Sequence, residues 1–100
     1  MDNVRVVYEH AVLNGAVSVQ EPRITRDKRD GEVLTAVIRT YGDTTHILIE
    51  RTNYHGAFLP GYKAFDQTDP LGELLPKVKF EAIDHCVGNQ DWNQMNAACE

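Results

Sequence analysis

The chain has 100 residues, of which 42% are hydrophobic and 25% charged, and its formal net charge at pH 7 is −5. This composition is ordinary for one small globular domain, which excludes collagen-like, coiled-coil and low-complexity classes, and the acidic balance argues against a nucleic-acid partner. No apolar run approaches the roughly 18 residues of a membrane span, and no signal peptide follows Met1. We therefore expect no membrane partner and a cytoplasmic location.

The first element is predicted to be an amphipathic helix over residues 2–15. Asp2 is placed to cap it, and Gly15 follows where a left-handed residue ends a helix. Apolar residues recur at helical spacing and form one stripe: Val4, Val7, Tyr8, Ala11 and Val12. We interpret this as a surface helix that covers a sheet, with a partner-binding helix as the alternative.

A first strand is predicted where apolar and polar residues alternate over 17–20, and Pro22 stops it or pushes it to a sheet edge. The next stretch, 23–32, contains the turn pair Asp30-Gly31 and is mostly charged. Its four basic residues are nearly balanced by acidic ones, so we predict a solvated hairpin tip, and a phosphate-binding patch is the weaker reading.

Two further strands are predicted over 33–40 and 44–51. The first of them carries apolar residues on both faces, which is typical of a central strand. A Tyr-Gly-Asp turn separates them. In the last strand, Ile47 and Ile49 share one face, and Leu48 lies on the other.

Residues 52–77 contain three prolines and three glycines and are predicted to form an interdomain linker, since structureless stretches this long are uncommon inside a compact domain. Its aromatic residues are expected to fix an extended segment on a neighbouring surface; they are Tyr54, Phe58 and Tyr62.

A fourth strand is predicted over 79–87, and Asp91 is placed to cap a short helix whose apolar residues are Trp92, Met95 and Cys99. The sequence thus opens in one helix and ends within another. From this we expect a segment of a longer protein: the end of one domain in 1–51, a linker in 52–77 and the start of a second domain in 78–100.

Chemistry in the sequence centres on its four histidines. Surface or packing roles are predicted for His10 and His55, and His46, on the third strand opposite the Ile47/Ile49 face, has no nearby carboxylate at ligand spacing. His85 shares an apolar face of the predicted fourth strand, where a polar ring needs a hydrogen-bond partner or a metal. The adjacent Asp84 should point to the opposite face. The residues alone favour a hydrogen-bonded core histidine over a metal ligand.

Other chemistry is sparse. The two cysteines, Cys86 and Cys99, lack partners at zinc-site spacing and are too few for a disulfide scaffold. No glycine elbow surrounds Ser18, and no glycine-rich phosphate loop is present. The residues alone support an α+β chain with one candidate functional histidine.

Two blocks of sequence carry a resemblance: TYGDTTHILIERTNYHGAFLPGY at 40–62 and AIDHCVGNQ at 82–90. Both are similar to the corresponding segments of the 4-hydroxyphenylpyruvate dioxygenase family, and the helix, NGAVSVQEP and the linker follow in matching order. The resemblance implies an α+β fold of βαβββ vicinal-oxygen-chelate modules. Residues 2–51 would be the αβββ part of the second module, without its first strand, and 78–100 would open the catalytic domain.

The resemblance also implies a metal site. The histidine of the DH-x-VGNQ motif in this family binds a non-haem Fe(II), so His85 would be one ligand of a two-histidine, one-carboxylate triad. The other two ligands and the substrate-contacting residues would lie beyond residue 100. We therefore assign no catalytic residue within this chain, and expect it to be inactive and not to retain iron by itself. Asp91 stands where family members often have proline.

The implied activity of the longer protein is conversion of 4-hydroxyphenylpyruvate and dioxygen to homogentisate and carbon dioxide in tyrosine breakdown, by a homo-oligomer. A hydroxymandelate synthase-like enzyme, which uses the same substrate, is one alternative. A non-catalytic scaffold or assembly module of the same superfamily is another. The residues that separate these alternatives would lie in the catalytic domain.

Overall fold

The computed structural model describes residues 1–99, so the last residue of the predicted 78–100 segment lies outside it. The elements in chain order are α1 (Val4–Leu13), β1 (Ser18–Asp27), β2 (Gly31–Arg39), β3 (Thr45–Glu50), α2 (Pro70–Leu74) and α3 (Met95–Cys99). The predicted α+β class is confirmed. Within these 99 residues, no helix is both long and apolar enough to cross a membrane.

The chain divides into two compact units, the first of which runs from Met1 to Ala64 and the second of which begins at Phe65. The first unit contains α1 and the sheet, and the second contains α2 and α3. Whether these units correspond to the domains predicted from sequence stays a prediction.

Helix α1 is shorter than predicted. Asn3, not Asp2, caps it, since Asn3 is extended at φ −152° and its Oδ1 accepts a hydrogen bond from Val6 N at 3.1 Å. Val4, at the centre of the predicted stripe, is fully buried. Val7 and Val12, on the flanks of the stripe, remain exposed.

The sheet is antiparallel with the order β1-β2-β3, so the prediction of a central second strand is confirmed. On one face, Ala36 and Leu48 pack with Val4 to form the core beneath α1. On the opposite face, Val33 is fully buried, while Ile47 is largely exposed. Both faces of β2 therefore carry a fully buried side chain.

Strand β1 continues through Pro22 instead of stopping there. It lies at a sheet edge, where a residue without an N–H is tolerated, and its register against β2 shifts between Ser18 and Gln20 and between Gln20 and Arg23. The predicted hairpin tip over 23–32 was too long, because most of these residues lie in strands. Arg26 Nε contacts Glu32 Oε2 across the hairpin at 2.9 Å, so opposite charges neutralise each other locally.

The start of the predicted linker packs on the first unit. Tyr54 is only 5% exposed, pairs with Gly31 as an isolated bridge, and donates its hydroxyl hydrogen bond to Ala57 O at 3.1 Å. Phe58 and Tyr62 contact each other edge to face, with ring centroids 5.2 Å apart. The prediction that aromatic residues fix this segment holds for Tyr54, whereas the other two rings are more than half exposed.

The second unit departs most from prediction, because residues 79–87 form no strand. A strand needs a hydrogen-bonded neighbour, and within the described residues this segment pairs with none. Phe80 and Ile83 are accordingly 90% and 89% exposed.

The predicted cap at Asp91 is also wrong. The left-handed φ of +61° at Asn93 prevents a helix from extending back to Asp91, so α3 begins at Met95. Trp92, which was expected on the apolar stripe of this helix, is accordingly exposed.

Candidate functional site

His85 is the candidate ligand, and it lies in an exposed segment without regular secondary structure. Its side chain is 71% exposed, and Ile83 and Val87, which were expected to share its buried face, are exposed as well. The prediction of an inward-facing histidine on a rigid strand is therefore wrong, because no neighbouring strand supports this segment. The assignment of His85 as a metal ligand is a separate matter and stays a prediction.

The partner of His85 is the residue immediately before it. Asp84 Oδ2 lies 2.6 Å from His85 Nδ1, a hydrogen-bonded contact, although the Asp84 side chain is 94% exposed. The expectation that Asp84 points away from His85 was wrong, since it assumed the side-chain alternation of a strand. The Nε2 atom is the ring nitrogen that this contact leaves for another ligand.

His85 fits the chemistry of a single imidazole ligand for Fe(II), but the described residues do not form a complete site. Among residues 1–99, no group of three or more histidine, cysteine, aspartate or glutamate side chains is placed to hold a metal ion. A facial triad needs two histidines and a carboxylate on one ion.

The other histidines and the two cysteines are exposed and belong to no metal cluster among residues 1–99. His10 on α1, His46 on β3 and His55 after Tyr54 are all exposed, which agrees with the surface alternative predicted for His10 and His55. Cys86 and Cys99 are free and exposed. None of these side chains is part of a candidate metal cluster in the described part of the chain.

The first unit has an open groove on the sheet face opposite α1. Its volume is about 270 Å³, and its floor is formed by Val33, Val37 and Ile47, with Leu59 and Pro60 at its side. It contains no charged lining residue and therefore offers no acid, base or metal ligand. This groove can accommodate apolar groups but has no chemistry of its own.

The electrostatic features of the first unit are at the hairpin tip and serve its structure. Asp27 Oδ1 accepts hydrogen bonds from the backbone N–H groups of Arg29 and Asp30, which lower the pKa of the Asp27 carboxyl. Burial, followed by the charges of Asp30 and Asp27, raises the pKa of the Tyr54 hydroxyl. These shifts follow from a turn and a buried ring, and neither group lies in a groove suited to catalysis.

Sequence reasoning missed Asp84 as the partner of His85. The signal available was the Asp-His dipeptide itself, because adjacent side chains can meet wherever the backbone is not held in strand geometry. The apolar face of the predicted strand singled out His85 among the histidines, and only the resemblance of its motif indicated that it binds a metal.

The chain is similar in sequence to several known proteins. No family model matches the chain. The chain is 51% identical over 100 residues to a 4-hydroxyphenylpyruvate dioxygenase from Pyricularia oryzae. The aligned region covers the whole chain and 24% of that protein. It is also 54% identical over 99 residues to the protein of the same name from Neurospora crassa. That alignment covers 99% of the chain and 24% of the Neurospora protein.

A relative with lower sequence identity also aligns over the whole chain. The 4-hydroxyphenylpyruvate dioxygenase of Caenorhabditis elegans is 42% identical over 101 residues, which span all of this chain and 25% of that protein. The chain therefore spans about a quarter of the length of the curated relatives it matches. The resemblance identified from the two sequence blocks is confirmed, and it extends over the whole chain.

Proposed function

We propose that this chain is part of an Fe(II)-dependent dioxygenase that converts 4-hydroxyphenylpyruvate and dioxygen to homogentisate and carbon dioxide. One observation carries the proposal: about half of all residues are identical, over the full chain, to proteins named 4-hydroxyphenylpyruvate dioxygenase. The matched region spans the whole chain, and identity at about half of 100 positions is too extensive to be explained by one short motif. The substrate and the reaction come from those relatives.

Within this activity, the role of His85 would be to bind Fe(II) through Nε2. The bound ion would supply coordination positions for the keto acid and for dioxygen. The other histidine and the carboxylate would come from the three quarters of the relatives' length that this chain does not span. A single imidazole binds a metal weakly, so the 100 residues alone should neither retain iron nor turn over substrate.

The first unit would serve as scaffold. Its buried residues join a helix to a sheet, and the groove on the sheet face opposite α1 lacks charged groups. The proposal includes a cytoplasmic homo-oligomer that acts in tyrosine breakdown, because 4-hydroxyphenylpyruvate is the keto acid corresponding to tyrosine. Catalysis in such a protein would depend on residues outside this unit.

A chimera tests the proposal directly. The matching quarter of the Pyricularia oryzae protein is replaced by these 100 residues, and iron content, dioxygen uptake and product are measured with 4-hydroxyphenylpyruvate. We expect one iron per chain and homogentisate as product. In the chimera, His85→Ala should lose both iron and turnover, whereas His10→Ala, which removes an exposed helical histidine, should lose neither.

Each alternative function predicts a different result. The residues that decide the product would come from the Pyricularia oryzae protein in this chimera, so the synthase-like alternative is tested on the full-length protein that contains this chain, where hydroxymandelate as product would support it. A folded chimera that binds no iron and consumes no dioxygen would support a scaffold module and contradict the proposal. Equal iron content in the His85→Ala and parent chimeras would exclude His85 as a ligand, even if turnover were present.

A further inference from the structure

We propose that the groove on the sheet face opposite α1 binds small aromatic carboxylates, with the ring on the groove floor and the carboxylate towards Arg23 and Arg39 on the same face. This inference goes beyond the proposed function, because it concerns binding by the first unit and requires neither iron nor turnover. It follows from the apolar floor, the residues at the side of the groove and the charge of this face.

The floor of the groove is apolar and wide enough for one ring. Val33 is fully buried, whereas Ile47 on the neighbouring strand is 60% exposed, so part of the floor remains in contact with water. The groove volume is about 270 Å³, and an apolar protein cavity of about 150 Å³ already holds benzene. A ring with a short side chain therefore fits, and covering Ile47 would remove apolar surface from water.

The side of the groove is formed by Leu59 and Pro60. They follow Tyr54, which is buried and fixes the start of this segment on the first unit. A flat ring between the strands and this segment would contact aliphatic side chains on both of its faces. The other lining residues are neutral and polar, namely Gln20, Thr25 and Thr35. The lining therefore suits an uncharged ring, and the charged group of a ligand must lie outside it.

Two arginines lie on the groove face of the sheet. Side chains paired across strands share a face, with Cβ atoms about 5 Å apart, and Arg23 pairs with the lining residue Thr35. Arg39 follows Val37 by two positions on β2, so it shares the face of Val37 about 7 Å further along the strand. Both arginines are exposed, and among residues 1–99 neither forms an ion pair. The floor is therefore flanked by two cations that are available to an anion.

The opposite face of the sheet lacks this feature. Its arginine, Arg26, already contacts Glu32 at 2.9 Å, and Glu50 adds a further negative charge there. On the groove face, Asp27 is the acidic residue of the assigned register, and its Oδ1 already accepts two backbone hydrogen bonds in the hairpin turn. The groove face therefore favours an anion, although the whole chain has a net charge of −5. A carboxylate, which is ionised at pH 7, matches it.

Titration of the 15N-labelled 100-residue chain with 3-phenylpropanoate at pH 7, followed by 1H–15N correlation NMR, tests the inference. We expect saturable shifts at the amides of groove residues, among them Val33, Val37 and Ile47. The dissociation constant should be about 1–10 mM, as expected for a ligand with about a dozen non-hydrogen atoms. The neutral 3-phenylpropanamide has the same ring and should bind about two- to fivefold more weakly, because exposed ion contacts contribute little.

Variants separate the effect of charge from that of the floor. Replacing both arginines, Arg23→Gln with Arg39→Gln, should make the two probes bind equally. Arg26→Gln, on the opposite face, is the matched control and should keep the difference between them. Ile47→Ala should weaken the binding of both probes by about threefold or more, since it removes apolar surface from the floor. The amide spectrum of each variant verifies that it is folded.

The inference is overturned if no saturable shift occurs at concentrations up to about 20 mM, or if the shifts are confined to α1 and the sheet face beneath it. Equal affinity of the acid and the amide for the parent chain would exclude the role of the arginines. Hexanoate has a carboxylate but no ring, and binding as tight as that of 3-phenylpropanoate would contradict the assignment of an aromatic ligand. Iron content and turnover of the chimera do not enter these measurements, so the dioxygenase proposal and this inference can fail independently.

Discussion

Gly31 joins the β1–β2 hairpin to the segment that carries Tyr54, and its replacement by alanine should destabilise the first unit strongly. Gly31 has φ +101°, and a Cβ there would lie 2.1 Å from Asn53 O. Backbone strain of this kind costs about 1–3 kcal/mol for a residue with a side chain. Relief of the clash would displace the Asn53 backbone and break two hydrogen bonds, Glu32 N to Asn53 O at 2.9 Å and His55 N to Asp30 O at 2.8 Å.

Each of those hydrogen bonds contributes about 1 kcal/mol, so the free energy of unfolding should fall by about 3–5 kcal/mol in Gly31→Ala. The matched control is Gly15→Ala, because Gly15 has φ +96° but no atom within 4 Å of an added Cβ. It should lose only the strain, about 1–3 kcal/mol. Urea denaturation followed by far-UV circular dichroism measures both. Equal losses in the two variants would refute the argued clash with Asn53.

Two further predictions concern the same unit and the same assay. The pKa of Asp27 is lowered by hydrogen bonds from the backbone of Arg29 and Asp30, so its stabilising effect is present above the unfolded value of about 3.9 and is lost as the pH falls through the lower folded value. The urea midpoint of the parent chain should therefore decline more steeply below about pH 4 than that of Asp27→Ala, and parallel declines would contradict this. Leu48→Ala, in the core under α1, should lower the free energy of unfolding by about 2–4 kcal/mol. Ile47 is adjacent to Leu48 but 60% exposed, so Ile47→Ala should lower the free energy of unfolding much less. Similar losses in the two variants would show that the core is placed on the wrong face.

The first unit could be predicted well because its signals are local. The helical spacing around Val4 and the alternation over β3 each specify which side chains face the core, and Gly15 takes the left-handed conformation expected after a helix. The helix cap was wrong because Asp2 and Asn3 are equally good caps by type. Pro22 is compatible with a strand end or with an edge strand, and of these two predicted alternatives the edge strand is the one observed.

The second unit could not be predicted in the same way, because a strand depends on a neighbour that the local sequence does not specify. The alternating pattern over 79–87 describes how this segment would pack beside a partner strand, and the structure of these 99 residues supplies none. His85 was singled out by its place on the predicted strand, and its role as a metal ligand was inferred from its motif alone. The contact with Asp84 was missed since strand alternation had been assumed for both residues.

Metal binding at His85 has a structural requirement that follows from this difference. A ligand that binds one ion together with two other ligands must be held in place by the packing around it. In this chain His85 follows side chains that are almost fully exposed, including Phe80 and Ile83. Burial of each such side chain stabilises a folded segment by about 1.5–3 kcal/mol. Packing of these apolar residues against a sheet would therefore order the segment and fix the imidazole together. In the chimera, Phe80→Ala and Ile83→Ala should weaken iron binding without touching a ligand, and unchanged iron content in both variants would contradict this requirement.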